Sequence, residues 1–148
     1  MEYRELGNTG LRVGEIGIGC EGLVDHEGAC MKAFLDLAEQ EGINYLDFYS
    51  PDPRMRELLG QALAGRREKF ILQAHLCSVW KNGQYERTRR IDEVRASYEE
   101  MLRLLGTDYI DIGMVHYVDS LADSAPAEIY PLTLHAALPI SAGRIHHI

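Results

Sequence analysis

Tyr109-Ile110-Asp111-Ile112-Gly113-Met114-Val115-His116 is the stretch that decides the fold. It is almost continuously apolar, the pattern of a parallel strand covered on both faces rather than a strand with one wet face. A parallel neighbour requires a crossover of a dozen residues or more, usually a helix. The sequence just upstream supplies one. Thr88 is placed to cap a long helix whose apolar stripe is Ile91, Val94, Tyr98, Met101, Leu102 and Leu105, and Gly106 ends it. Before that helix comes a polar, loop-like stretch at 78–87 with Asn82-Gly83 as a turn signal, and before that a further strand, Lys69-Phe70-Ile71-Leu72-Gln73-Ala74-His75.

The same rhythm continues toward the N-terminus. Pro53, then Met55, Leu58, Leu59, Ala62 and Leu63, predict a helix closed by Gly65. Ile43-Asn44-Tyr45-Leu46-Asp47-Phe48 predicts a strand. From about His26, the positions Ala29, Ala33, Phe34, Leu37, Ala38 and Glu41 follow a helical period that Gly42 stops. Ile16-Gly17-Ile18-Gly19 is a short strand, and residues 3–14 form a hairpin turning at Gly7-Asn8-Thr9-Gly10. The order is a hairpin followed by β-α-β-α-β-α-β, which means right-handed crossovers and a parallel sheet. The fold class is therefore α/β, with an N-terminal hairpin, about four parallel strands and three intervening helices. A complete (β/α)8 TIM barrel takes about 250 residues. At 148 residues the chain holds about half of one, a partial barrel.

Composition narrows the function classes. The formal net charge is −8, with 23 acidic against 15 basic residues, which argues against a nucleic-acid or anionic-membrane partner. No apolar run approaches the roughly 18 residues that span a bilayer, and Met1-Glu2-Tyr3-Arg4-Glu5 does not start a signal peptide. Cys20, Cys30 and Cys77 form no Cys-x-x-Cys motif, so reduced thiols and a cytoplasmic location are expected. After Asp123 the character changes. Residues 124–148 hold one acid, Glu128, one base, Arg144, and three of the six histidines, with no clear helical or strand period. Residues 127–140 resemble the conceptual translation of a sequencing adapter. The expected division is 1–123 as the half-barrel and 124–148 as a non-native or irregular tail.

In a parallel βα array, functional side chains sit at the carboxyl ends of the strands. Those ends are Gly19-Cys20-Glu21-Gly22, Asp47 to Tyr49, His75 to Cys77, and His116 to Asp119. Singly, Asp47 could cap a turn, and His75 and His116 could be structural histidines. Together they place a carboxylate and two imidazoles at one mouth. Two histidines and a carboxylate could also bind a divalent metal, which leaves open a metal-assisted hydrolase or lyase using Asp47, His75 and His116. A non-catalytic interaction fragment is a third reading.

Several ordered motifs carry a resemblance. Residues 4–22, with Leu6-Gly7-Asn8-Thr9-Gly10-Leu11-Arg12-Val13, resemble the opening hairpin and first strand of the aldo-keto reductase family. Gly42-Ile43-Asn44-Tyr45-Leu46-Asp47 is similar to its Gly-Ile-Asn-x-x-Asp. Leu59-Gly60-Gln61-Ala62-Leu63 and Asp108-Tyr109-Ile110-Asp111 followed by His116 match later motifs. The resemblance implies hydride transfer between NADP or NAD and a small-molecule carbonyl substrate, with Asp47, His75 and His116 as catalytic candidates and Gly19, Cys20 and Asp47 on the nicotinamide side. It also implies that the main cofactor grip lies in the second half of the barrel. Two family residues are missing. Asp52 stands where the catalytic tyrosine belongs, and Ala74-His75 replaces Thr-Lys, so His75 or His116 is expected to supply the proton. The stretch 70–85 resembles a subgroup whose members end in an iron–sulfur cluster segment, which would lie beyond this chain. The resemblance thus implies a truncated chain, inactive alone. Open sheet edges at 16–19 and 110–115 predict self-association.

Overall fold

The computed structural model describes residues 1–23, 25–115 and 143–147. A hairpin of β1 (Tyr3–Glu5) and β2 (Arg12–Gly14) opens the chain, with Tyr3 opposite Gly14. The main sheet is parallel throughout. It contains β3 (Ile18–Gly19), β4 (Tyr45–Phe48), β5 (Ile71–His75), β8 (Ile110–Met114) and β9 (Ile145–His147), side by side in that order. The crossover helices are α1 (Gly28–Gln40), α2 (Pro53–Leu63) and α3 (Ile91–Leu105). Between β5 and α3 lies a second hairpin, β6 (Ser78–Lys81) and β7 (Gln84–Arg87). The described strands form an open sheet with β3 at one edge and β9 at the other. None of the described helices is long and apolar enough to cross a membrane.

The core lies between the sheet and its helices. Leu46, Phe48 and Leu72 from the sheet meet Met31 and Leu35 of α1, Met55 and Leu59 of α2, and Tyr98 and Met101 of α3, all buried. Each such side chain stabilises the fold by about 1.5–3 kcal/mol relative to exposure. Helices α2 and α3 approach closely at Gly60, where a Cβ would lie 2.5 Å from the Leu104 carbonyl oxygen and 2.7 Å from Leu105 Cα. Asp52 caps α2 by accepting the Arg54 N–H at 2.9 Å.

Two charged residues inside the fold are explained by their contacts. Asp111 Oδ2 accepts the Leu72 backbone N–H at 2.9 Å and an Arg67 N–H at 2.8 Å, which fixes β8 against β5. Arg56 is buried between α2 and α3. It donates to the Ser50 carbonyl at 3.3 Å and to the Ser97 carbonyl and hydroxyl at 3.2 and 3.3 Å. Burial lowers its guanidinium pKa to about 10, which still leaves it charged at neutral pH. The loop that follows β4 is thereby tied to α3.

Four local expectations are corrected. The polar run 78–87 is a hairpin rather than a loop, because Asn82 and Gly83 both take positive φ (52° and 77°), the turn whose twist matches two antiparallel strands. Thr88 is not the cap of α3: Arg90 occupies that place, and Thr88 instead accepts the Arg90 N–H at 3.2 Å and bonds the Glu93 carboxylate. On α1 the buried line is Met31, Leu35 and Ala38, while Leu37 is 54 % exposed on the opposite side. Finally, β8 is not an open edge, and the end of the tail is not irregular. Ile145–His147 pairs with β8, held by Tyr98 donating to the Arg144 carbonyl at 2.6 Å and by two Arg144–Glu99 bonds of 2.8 Å. The adapter-like segment 127–140, and the origin assigned to it, lie outside the described residues.

Candidate active site

The strand register builds the site. Asp47 of β4 pairs laterally with Gly19 of β3 and with Gln73 of β5. A period of two along β5 puts His75 on the same side as Gln73. Asp47 Oδ1 accepts the Gln73 amide N–H at 2.9 Å and lies 2.9 Å from His75 Nε2. An ionised carboxylate can only accept, so this contact is a hydrogen bond when the His75 ring is protonated on Nε2. Gln73 in turn accepts the Tyr45 hydroxyl at 2.5 Å and lies 3.9 Å from the Met114 sulfur. Burial, with the negative charge of Asp47, raises the Tyr45 phenol pKa, so Tyr45 stays a neutral donor. The chain Tyr45–Gln73–Asp47–His75 holds the carboxylate in one orientation. The Asp47 side chain is 35 % exposed and that of His75 12 %, so the carboxylate is the more accessible of the two.

Aromatic residues extend the site outward. The Tyr49 ring meets the His75 ring edge-on, with centroids 4.8 Å apart. The Tyr49 hydroxyl contacts that of Tyr85, from β7, with ring centroids 5.3 Å apart. The Tyr49 backbone N–H donates to Glu21 at 3.2 Å.

The expected site residues separate. Asp47 and His75 are brought together by a hydrogen bond. Gly19 is exposed at the strand end, with nothing within 4 Å of where its Cβ would be, so it leaves room for a ligand to approach the backbone. Cys20, expected on the nicotinamide side, is fully buried in the core and exposes no thiol. Burial first, then Asp47 and Glu21, push its thiol pKa up to about 12, so it is not a nucleophile at neutral pH either. His116 lies outside the described residues. Among those residues no group of three or more His, Cys, Asp or Glu gathers as metal ligands. Sequence reasoning missed Gln73 and Tyr85; it placed Tyr49 at a strand end but gave it no role. Gln73 and Tyr45 were signalled by lying two residues before His75 and Asp47 on their strands.

Comparison with known proteins agrees with the fold. The aldo/keto reductase family model matches residues 16–147, and the chain belongs to that family. It is 31 % identical over 122 residues to the oxidoreductase YqkF of Bacillus subtilis, covering 78 % of this chain and 39 % of YqkF. To the L-glyceraldehyde 3-phosphate reductase of Escherichia coli it is 29 % identical over 129 residues, covering 80 % of this chain and 37 % of that one. The aldo-keto reductase AKR11C1 of Bacillus halodurans, solved in its holo form, superposes with a TM-score of 0.80 at 26 % identity. That match covers 99 % of this chain and 49 % of the other. The chain therefore spans about two-fifths of these two curated relatives and half of the solved structure.

Proposed function

We propose that the chain is the nicotinamide-side half of an NAD(P)H-dependent oxidoreductase that interconverts a small carbonyl compound and its alcohol. The observation that carries this reading is the Asp47–His75 pair, placed at adjacent strand ends in a chain of this family. When bound, a nicotinamide supplies the hydride. The residues present fit such a ring on one side: exposed Gly19, without a Cβ, lets it approach the sheet end beside Asp47. Asp47 orients His75 through Nε2, and His75 takes the place at which the family carries its lysine. A cationic ring there, beside a carbonyl oxygen, would stabilise the negative charge that develops on that oxygen on reduction. His116 is proposed as a further catalytic residue of the same reaction. With about half of a relative's length, the chain alone is expected to hold the cofactor weakly.

The test is nicotinamide oxidation. The chain is mixed with the C-terminal half of a relative's barrel and given NADPH or NADH with small aldehydes and ketones. Oxidation that requires both the chain and the carbonyl supports the reading. Absence of oxidation across the panel, with the assembled barrel shown to be folded, overturns it.

A further inference from the structure

Arg56 is a buried charge that the chemistry proposed above does not use. It is 2 % exposed between α2 and α3, and among the described residues its hydrogen bonds all go to uncharged oxygens. A buried guanidinium that bonds no carboxylate is costly, and an apolar side chain would fill the same space at less cost. What the guanidinium adds is a planar fork of donors in fixed directions. Its Nε donates to the Ser50 carbonyl at 3.3 Å, and its Nη1 to the Ser97 carbonyl and hydroxyl at 3.2 and 3.3 Å. The Ser97 hydroxyl carries the contact onward, donating to the Ser78 carbonyl at 3.3 Å. Ser50 lies three residues beyond Asp47, and Ser78 three beyond His75. Both are buried. The ladder between β4 and β5 ends with Phe48 opposite Ala74, so His75 stands one residue past its strand's last pairing with β4. From there on, the chain Ser50–Arg56–Ser97–Ser78 ties the two segments together.

We propose that Arg56 and Ser97 are positioning residues, which lock the exits of β4 and β5 at one spacing and so hold His75 against Asp47. The part these two play in a reaction rests on the oxidoreductase reading above; the tie between the strand exits does not. Neither Arg56 nor Ser97 touches the Asp47–His75 pair. They act through the backbone, by fixing two carbonyls where the chain leaves each strand. A buried polar network whose members are satisfied favours one arrangement over its neighbours. Spacing matters here because a misplacement of about 1 Å between reacting groups can cost about 10²-fold in rate.

Two variants separate the tie from the fold. Ser97→Ala removes only the hydroxyl and favours the helix, so α3 is kept. Arg56→Met removes the fork and keeps an unbranched side chain in its place. In each, NMR of the 148-residue chain with 15N-labelled histidine should show the His75 Nε2 proton exchanging with water about fivefold faster, the worth of one lost hydrogen bond. Amide exchange at Leu72, inside β5, should keep its wild-type rate in Ser97→Ala. His75 exchange unchanged in both variants would overturn the proposal. So would an equal acceleration at Leu72 in Ser97→Ala, because the two residues would then serve the fold as a whole. In the assembled barrel, Arg56→Met should lower kcat by up to about 10²-fold with KM little changed. An active wild type matched in kcat by both variants overturns the positioning role and leaves the oxidoreductase reading standing. A folded wild type that oxidises no nicotinamide ends that reading, while the exchange rates still decide whether Arg56 and Ser97 hold the pair.

Discussion

His75 Nε2 lies 2.9 Å from Asp47 Oδ1, across two neighbouring strands and two residues beyond Asp47's own lateral partner, Gln73. This diagonal contact is within reach of long side chains on one face of a sheet. It fixes the ring tautomer. Nitrogen-detected NMR of His75 should show the proton on Nε2 in the neutral ring, exchanging slowly with water. In Asp47→Asn the exchange should quicken and the tautomer preference should weaken. A neutral ring protonated on Nδ1 in the wild type would contradict the contact.

Of the described glycines, Gly60 leaves the least room for a Cβ. Gly60→Ala drives a methyl group toward the backbone at Leu104 and Leu105, and backbone cannot rotate away as a side-chain end can. Overpacking of this kind costs about 1–3 kcal/mol, more than the gain in helix propensity. Urea unfolding should show that loss. Unchanged stability would mean that α2 and α3 do not meet at this point.

The last described strand should detach first in acid. Arg144 holds the Glu99 carboxyl pKa below its ordinary value, chiefly through their hydrogen bonds. A carboxyl lowered in the folded state contributes stability that is present above its unfolded value, about 4.3. That stability is lost as the pH falls through the folded value. Amide exchange at Ile145 and His147 should therefore accelerate below about pH 4 before exchange at Leu72 does. Arg144→Ala should produce the same opening at pH 7. If Ile145 in that variant stays as protected as Leu72, the fork does not hold β9.

Among the described residues β3 leaves an open edge, and Ile16 beside it is 60 % exposed. Open apolar edges pair with other chains. We expect dimers or larger species at micromolar concentration in analytical ultracentrifugation, reduced by Ile18→Lys. A stable monomer that unfolds cooperatively at these concentrations would refute this.

Much of the architecture is legible in residue patterns. Buried parallel strands show as apolar runs, and Pro53, Gly65 and Gly106 punctuate the helices at their observed ends. The α1 face is ambiguous because Ala29, Ala33 and Leu37 make a second apolar line opposite Met31, Leu35 and Ala38, and only packing chooses between them. The β6–β7 hairpin hides behind its polarity, although Asn82-Gly83 is the strongest short hairpin signal there is. β9 is three residues long, too short for a period to emerge, and tertiary pairing alone makes it a strand. In the site, Asp47 and His75 follow from strand ends. Tyr49 does not: its direction depends on how the chain leaves β4, which Glu21 sets from another element.

The most direct test of the account compares the wild type with His75→Gln in the barrel assembled from this chain and a relative's C-terminal half. Glutamine can still donate a hydrogen bond to Asp47 but cannot become a cation. The account predicts carbonyl-dependent NADPH oxidation by the wild type, none detectable from the 148-residue chain alone, and a kcat about 10²-fold lower in His75→Gln with KM little altered. A His75→Gln variant as fast as the wild type would contradict the assignment of the Asp47–His75 pair to the chemistry.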